Sequence, residues 1–514
     1  MHGDITFLYR CAMVVAVVVS AAAVSAAPMY KVELVQVVHR HGARSPIVDY
    51  NDTLICGTEF PCGYLNYEGQ AMLVNFGKYL RHRYTEDLSV VSEPYFPYSW
   101  YNLSISYTRS TDVLRTLQSA DGLLRGLFPN NSAFFPAIHT MDGADDMLLR
   151  SSAVPMLRAR LNYAKQELLT VCDQVLDRLM SFDQLQAVAA EVHSQGYCVN
   201  YTLRSRCAER LCDIGLAYEP TGRLESVPLL RRHLDDVCAV TAMSTHFSFA
   251  YNASNPVHQK QGAPFYHLAK QLVSNMLAHQ QRETAPPYKL YEYSTHDSTI
   301  SPLAASFGDN SMEAMLPPFG TAFIMELLSP TDPSAALSSP FYVRLLRGHS
   351  GVTPASNFTF ALSHFDMRCQ DATGNTYIAK DNICPFADFE RFINSTAPTS
   401  PMGMCYLDPS LLFRMGCPLD AADNRTLSED CLLYRKHCSS YSCGTGYYLD
   451  AIDYGCHRIP ASNSTTVSSP VCSGCIAALS IVLFIIGGVA SIGGMKAWER
   501  YRKFKSKKSE VLIV

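Results

Sequence analysis

Three short polar runs hold the residue types needed to grip and cleave a phosphate ester. They are Arg40-His41-Gly42-Ala43-Arg44-Ser45-Pro46, Thr108-Arg109-Ser110-Thr111-Asp112 and Ser294-Thr295-His296-Asp297-Ser298. Arg40, Arg44 and Arg109 supply guanidinium groups, His41 and His296 imidazoles, and Asp297 a carboxylate. Guanidinium forks match phosphate oxygens two at a time and keep their charge near neutral pH. Several together offset a phosphomonoester dianion and the charge of its transition state. A histidine among fixed cations resists protonation and can attack phosphorus in line. The departing alkoxide needs a proton, which a carboxylic acid at Asp297 can supply. Gly42 would let backbone come close to the phosphate. His39 shares the context of His41, and spacing alone does not choose between them. The same residues fit an alternative without turnover, a surface glycoprotein that only binds phosphorylated ligands.

The elements around these runs explain how they could meet. Val32–Val38 is an apolar run read as a buried strand, Leu103–Tyr107 and Lys289–Tyr293 resemble it, and each leads into one polar run. After the second, Ser110, Thr111 and Asp112 are N-cap types, and Val113, Leu117, Ala120, Leu124 and Leu127 recur at helical spacing. After the third, an apolar stretch continues through Phe307. Strand, turn and helix in repetition imply an α/β fold with a largely parallel central sheet and flanking helices. The polar runs would then share the carboxyl edge, beside helix N-termini that favour anions. Residues 128–288 lack such strands and carry helical stretches, including Arg158–Met180 and Phe265–Arg282, which fit a mostly helical cap.

Composition bounds the rest. Of 514 residues 48% are apolar and 17% charged, with net charge −4, which excludes a disordered or collagenous chain and gives no basic field for nucleic acid. The ectodomain has no H-E-x-x-H, Walker loop, strand-borne G-x-G-x-x-G or G-x-S-x-G, so no metal or nucleotide cofactor is indicated. Eighteen cysteines point to an oxidising compartment. Residues 1–26 have the form of a signal peptide. Ile476–Met495 is an uncharged run long enough for one membrane span. Seven basic residues against two acidic ones follow in the tail 496–514, which places the tail in the cytosol and makes the chain single-pass type I. Sequons at Asn51, Asn102, Asn130, Asn200, Asn252, Asn357, Asn394, Asn424 and Asn463 all precede that run. The Cys-, Gly- and Ser-rich tract 406–470 reads as a disulfide-knit stalk. Cys472-Ser473-Gly474-Cys475 abuts the span and suits acylation or a disulfide. Tyr501-Arg502-Lys503-Phe504 has the form read by endocytic adaptors, so residence in endosomes or lysosomes and at the cell surface are both open. A homodimer is also left open.

With these residues in view, residues 30–405 resemble the histidine acid phosphatases. Arg40–Pro46 fits that family's R-H-G-x-R-x-P signature. Arg109–Leu117 resembles its second arginine segment, Tyr293–Thr299 its His-Asp segment, and Leu316-Pro317-Pro318-Phe319-Gly320 the run after it. Cys384–Phe392 resembles a late segment of the animal lysosomal and prostatic members. The resemblance implies a phosphoglycerate mutase-like α/β fold with a helical cap over residues 27–405, and hydrolysis of small phosphomonoesters without a cofactor. It implies His41 as the nucleophile that becomes phosphohistidine and Asp297 as proton donor. Arg40, Arg44, Arg109 and His296 would hold the phosphate.

Overall fold

The run centred on Val35 is apolar on both faces because it becomes a central strand with helices packed on each side. The computed structural model describes residues 29–458, except 131–135, 282–287, 333, 335–338, 418–425, 439–446 and 450–455. Its strands are β1 (Tyr30–Arg40), β2 (Ser106–Ser110), β3 (Ile138–His139), β4 (Leu290–Thr295), β5 (Ala322–Pro330), β6 (Tyr342–Ser350), β7 (Phe360–Ser363), β8 (Arg368–Gln370), β9 (Thr376–Ile378), β10 (Ile383–Pro385), and a late antiparallel pair, β11 (Tyr447–Leu449) with β12 (Cys456–Arg458). The main sheet has eight strands in the order β10-β6-β5-β1-β4-β2-β3, with β7 also on β6, while β8 and β9 form a separate hairpin.

The half of the sheet carrying the polar runs is parallel: β1 with β4, β4 with β2, and β2 with β3. The other half is antiparallel, since β5, β6, β7 and β10 pair that way. The sheet is therefore mixed. Parallel pairing needs long crossovers, which the helix-bearing segments between β1 and β4 provide, whereas β5, β6 and β7 are joined by shorter connections. The register aligns Arg40 with Thr295 and Ser110 with Ser294, so the three runs leave the sheet side by side.

Alternation along β1 feeds two cores. Val35 and Val37 pack with Phe76, Leu80, Leu123 and Leu127 on helices Tyr67–Thr85 and Leu114–Leu127. Leu34 and Val38 pack with Leu272, Met276, Ile300 and Leu303 on helices Tyr266–Gln281 and Asp297–Ser306. A third cluster, including Leu168, Leu176, Leu185, Leu211 and Val237, belongs to the helical insertion. There the stretch expected over Arg158–Met180 is two helices, Pro155–Tyr163 and Lys165–Leu179, joined at Ala164. Disulfides Cys198–Cys207 and Cys212–Cys238 staple this insertion. Cys56–Cys62, Cys369–Cys384, Cys405–Cys438 and Cys417–Cys431 lie elsewhere, and Cys172 is buried and free.

Two local expectations shift. Strand β2 begins at Ser106 rather than Leu103, because Asn102 closes a turn with its side chain on the Ser104 N–H. The helix after it starts at Leu114 with no side-chain cap, because its N-cap is Val113, which has no side-chain acceptor, while the Thr111 hydroxyl meets His296. The tract after residue 405 packs on the main core up to Cys438 and holds the disulfides Cys405–Cys438 and Cys417–Cys431. Leu407, Leu412, Met415 and Tyr434 are buried in the main core, and Asp430 pairs with Arg158 and accepts from Tyr163. Apolar residues at helical spacing within a Cys-rich stretch give it a face to bury.

Among the described residues no helix is long and apolar enough to cross a membrane. The leader 1–26, the run Ile476–Met495, the Cys472–Cys475 motif, the tail with Tyr501–Phe504, and the sequons Asn424 and Asn463 lie outside the described residues. Of the other sequons, Asn51, Asn130, Asn200, Asn252, Asn357 and Asn394 are exposed and Asn102 is half-buried.

Gly42 has a packing task of its own. A Cβ there would lie 2.2 Å from the Gly69 carbonyl oxygen, and a Cβ on Gly69 would lie 2.0 Å from that of Ala43. The loop after β1 therefore rests directly on the first turn of helix Tyr67–Thr85, where Asn66 caps the Gly69 N–H at 2.8 Å. Gly69→Ala is expected to lower unfolding stability by about 2–3 kcal/mol, because backbone on both sides must move; urea denaturation of the purified variant measures it.

Candidate active site

Arg40 is the last residue of β1, and its backbone N–H donates to the Thr321 carbonyl at 2.8 Å. The His41 N–H donates to the Thr295 carbonyl at 2.9 Å, and the His41 carbonyl accepts from Gly320 at 3.1 Å. The loop Leu316–Gly320 thus closes over the strand end. Phe319 lies beneath the cations, 4.2 Å from Arg40 Cζ and 5.7 Å from Arg44 Cζ to the ring centroid. A ring face in contact with a guanidinium stabilises it while leaving its edge donors free.

His41 is buried, and its ring is 5.5 Å from that of His296. Its Nδ1 lies 2.8 Å from the Gly42 carbonyl, so the proton belongs on Nδ1 and Nε2 carries the lone pair. Burial, then the charges of Arg115 and Arg40, push its pKa well below the ordinary histidine value. His39, two residues back on β1, is fully buried. It is held by Glu292 Oε1 at 3.1 Å and the Arg40 carbonyl at 3.1 Å. Those partners occupy both ring nitrogens, which separates it from His41.

His296 precedes helix Asp297–Ser306. Arg115 approaches its Nδ1 at 3.4 Å, so Nε2–H donates to Thr111 Oγ1 at 2.9 Å. Burial and then Arg115 lower its pKa to about 3. The Asp297 side chain keeps 46% exposure and binds Arg40 at 2.6 Å. Burial would raise its carboxyl pKa, but Arg40 and Arg44 outweigh that and hold it at about 2. Arg40 also donates to the Pro317 carbonyl at 2.6 Å.

Arg44 is anchored from the helical insertion. Asp213, on helix Arg204–Tyr218, accepts from it at 2.6 and 3.3 Å and from the Ile47 N–H at 2.8 Å. The third cation near the imidazoles is Arg115. Burial and then Arg44 lower its pKa to about 10, and its charge bears on both His41 and His296. Arg109, by contrast, points its guanidinium at the buried Asp146, 2.5 Å away. The structure thus brings Arg40, His41, Arg44, His296 and Asp297 together, and commits Arg109 to an ion pair with Asp146.

Sequence reasoning missed Arg115, Asp213 and the role of Thr111. Arg115 stood inside the quoted run Arg109–Leu117, and its place one position into a helix N-terminus facing the sheet edge was the available clue. Asp213 offered none, since helices of the insertion carry no motif. The Nε atoms of Arg40, Arg44 and Arg115 are buried without hydrogen-bond partners among the described residues. Donors of this kind call for an acceptor, and an oxyanion fits the gathered cations. Among the described residues no three His, Cys, Asp or Glu side chains are grouped to hold a metal ion.

A sequence model of the histidine phosphatase superfamily (branch 2) matches residues 31–347. The chain belongs to that family. As a histidine phosphatase it is a phosphoric monoester hydrolase, as its polar runs led one to expect. Human lysophosphatidic acid phosphatase type 6 is 25% identical over 391 residues, covering 66% of this chain and 84% of that protein. The lysosomal acid phosphatase of Xenopus laevis is 27% identical over 352 residues, covering 66% and 74%. The prostatic acid phosphatase of Rattus norvegicus is 27% identical over 320 residues, covering 58% and 75%. The phytase of Citrobacter braakii shares the fold, with a TM-score of 0.51 at 15% identity over 71% of this chain and 98% of that one.

The lowered histidine pKa values have a testable consequence. Ring nitrogen chemical shifts should show His41 and His296 neutral at pH 5, where an ordinary histidine is charged. Because unfolding frees both rings to take up protons below about pH 6.5, they should make the protein less stable as pH falls through that value. Rings already protonated at pH 6 would contradict this.

Proposed function

We propose that this histidine phosphatase is an acid phosphatase that hydrolyses small phosphomonoesters through a phosphohistidine on His41. The observation that carries the reading is the placement of an Nδ1-anchored imidazole at His41 and the Arg40 guanidinium around one ring, that of Phe319, with the Asp297 carboxylate bound to that same guanidinium. In this reading Arg40, Arg44 and Arg115 hold the phosphoryl oxygens, and His296 adds a contact from its helix end. Arg109 serves the site through Asp146 rather than by touching phosphate.

The ester arrives at acid pH as a monoanion, since its second pKa is about 6. Phosphate oxygens compete with Asp297 for Arg40, and their negative charge raises the carboxyl pKa, so Asp297 can take the proton the ester brings. Nε2 of His41 then attacks phosphorus, the P–O bond breaks, and Asp297 gives its proton to the alkoxide. Water attacks the phosphohistidine next, with Asp297 taking its proton, and inorganic phosphate leaves. The positive cluster stabilises the charge that builds on the equatorial oxygens.

The setting we propose is lumenal or extracellular. Six disulfides, seven accessible or half-buried sequons among the described residues and the lysosomal relative support it. A single span at 476–495, with the tail read by endocytic adaptors through Tyr501–Phe504, is the finer form of that proposal. The alternative of a non-catalytic phosphate-binding glycoprotein is disfavoured, because binding needs neither a free imidazole nitrogen nor a carboxylate.

His41→Ala should abolish phosphate release from 4-nitrophenyl phosphate at pH 5. Asp297→Asn should slow alkyl esters, which leave poorly, far more than nitrophenyl esters; equal slowing of both would remove Asp297 from the donor role. The arginines separate in a second experiment. Arg115→Met should lower kcat/KM by about 10²–10³-fold, the scale of losing one oxyanion donor. Arg109→Met should cost less than Arg115→Met, and the reverse order in steady-state kinetics would restore Arg109 as a direct phosphate ligand.

A further inference from the structure

Away from the phosphate site, Arg160 on helix Pro155–Tyr163 carries a charge that no carboxylate answers: among the described residues it makes no ion pair. Its guanidinium donates to two neutral, buried acceptors. These are the Ser248 carbonyl at 3.1 Å, near the end of helix Pro228–Phe249, and Gln261 Oε1 at 3.4 Å. They use only part of its donor fork, and the rest meets no acceptor among the described residues. Gln261, the last residue of helix Pro256–Gln261, is itself fixed, since its Nε2 donates to the Tyr406 carbonyl at 2.8 Å. Arg160, Gln261, His258 and Tyr251 line one small pocket. His258 Nδ1 accepts from the Asn252 N–H at 3.1 Å, so its proton sits on Nε2 and leaves that atom a donor. The ring is nearly parallel to that of Tyr251, 6.3 Å away. None of the described lining residues is Asp or Glu, and the space suits one water-sized occupant.

We propose that this pocket binds a single monatomic anion, chloride or another halide, held by the Arg160 guanidinium and the His258 Nε2–H. Taking a cation out of water without a counter-charge is costly, and a carbonyl at a helix end returns only part of a charge. A halide in the pocket supplies the whole of it and meets no acidic neighbour in the described wall. Water would fill the same space but leave the charge unanswered. Size excludes phosphate and sulfate, so this site is separate from the one that takes the ester. Burial, and after it the charge of Arg160, lower the His258 pKa to about 4, which fits two cationic groups facing one space. The ion would fasten helix Pro155–Tyr163, the end of helix Pro228–Phe249 and helix Pro256–Gln261, which in turn holds the tract at Tyr406. Nothing in this assignment draws on the phosphatase reading.

Thermal unfolding of the full-length protein in sodium chloride and in sodium gluconate, at equal ionic strength, tests the site. Gluconate is too large to enter. The midpoint should rise with chloride but not with gluconate, and keep rising as the logarithm of chloride once the site is filled. Bromide should act like chloride, and crystals grown in bromide should show an anomalous peak within hydrogen-bond reach of Arg160 and His258. Arg160→Gln should abolish the chloride response. His258→Gln should weaken chloride binding by about tenfold, the scale of one lost hydrogen bond to a charged group. Should Arg160→Gln fail to fold, His258→Gln and the bromide peak decide. Equal midpoints in chloride and gluconate, a chloride response unchanged in either variant, or a pocket without the bromide peak overturns the site.

Discussion

Burying several guanidinium groups around one site is the constraint that shapes this molecule. A buried, unpaired charge costs several kcal/mol, and neighbouring like charges add to that. Each cation here has its own remedy. Arg40 is tied to Asp297 and the Pro317 carbonyl, Arg44 to Asp213, and Arg109 to Asp146. Arg115, with a histidine nitrogen as its neighbour, shows the residual cost as a lowered pKa. The imbalance is also the source of chemistry, because it lowers the pKa of two imidazoles and offers a strong field to an incoming phosphate.

Those remedies link distant parts of the chain. Asp213 belongs to the helical insertion and adjoins Cys212, whose disulfide to Cys238 fastens helix Arg204–Tyr218 to helix Pro228–Phe249. A cap that seemed from sequence only to overlie the site therefore supplies the counter-charge of one phosphate-binding arginine. Asp145, on the loop beside Asp146, is clasped by Lys436 and His437, so residues near the end of the described chain also reach toward the site.

Much of this was legible in the sequence, and the reasons are local. Periodicity marked β1 and the helices over 114–127 and 266–281, because those elements bury a regular apolar face. The runs at 40–46 and 294–298 announced their chemistry because strand ends in a parallel sheet must gather at one edge. What escaped detection depended on direction rather than type. Arg109 and Arg115 are equally good arginines six residues apart; one lies on a strand with a buried aspartate in reach, and the other on a helix turn that faces His296. No pattern in sequence states which way a side chain points. The antiparallel half of the sheet and the docking of residues 405–438 escaped for the same reason, since both depend on partners far away in the chain.

The margins of the sheet carry one last implication. At one border stands β3, only two residues long, and at the other, side by side on β6, β7 of four residues and β10 of three, the latter ending in a proline. Stubs of that size offer scarcely any unsatisfied backbone to a neighbouring molecule, and proline withholds a donor altogether. Borders so trimmed leave little backbone through which the sheets of two copies could join.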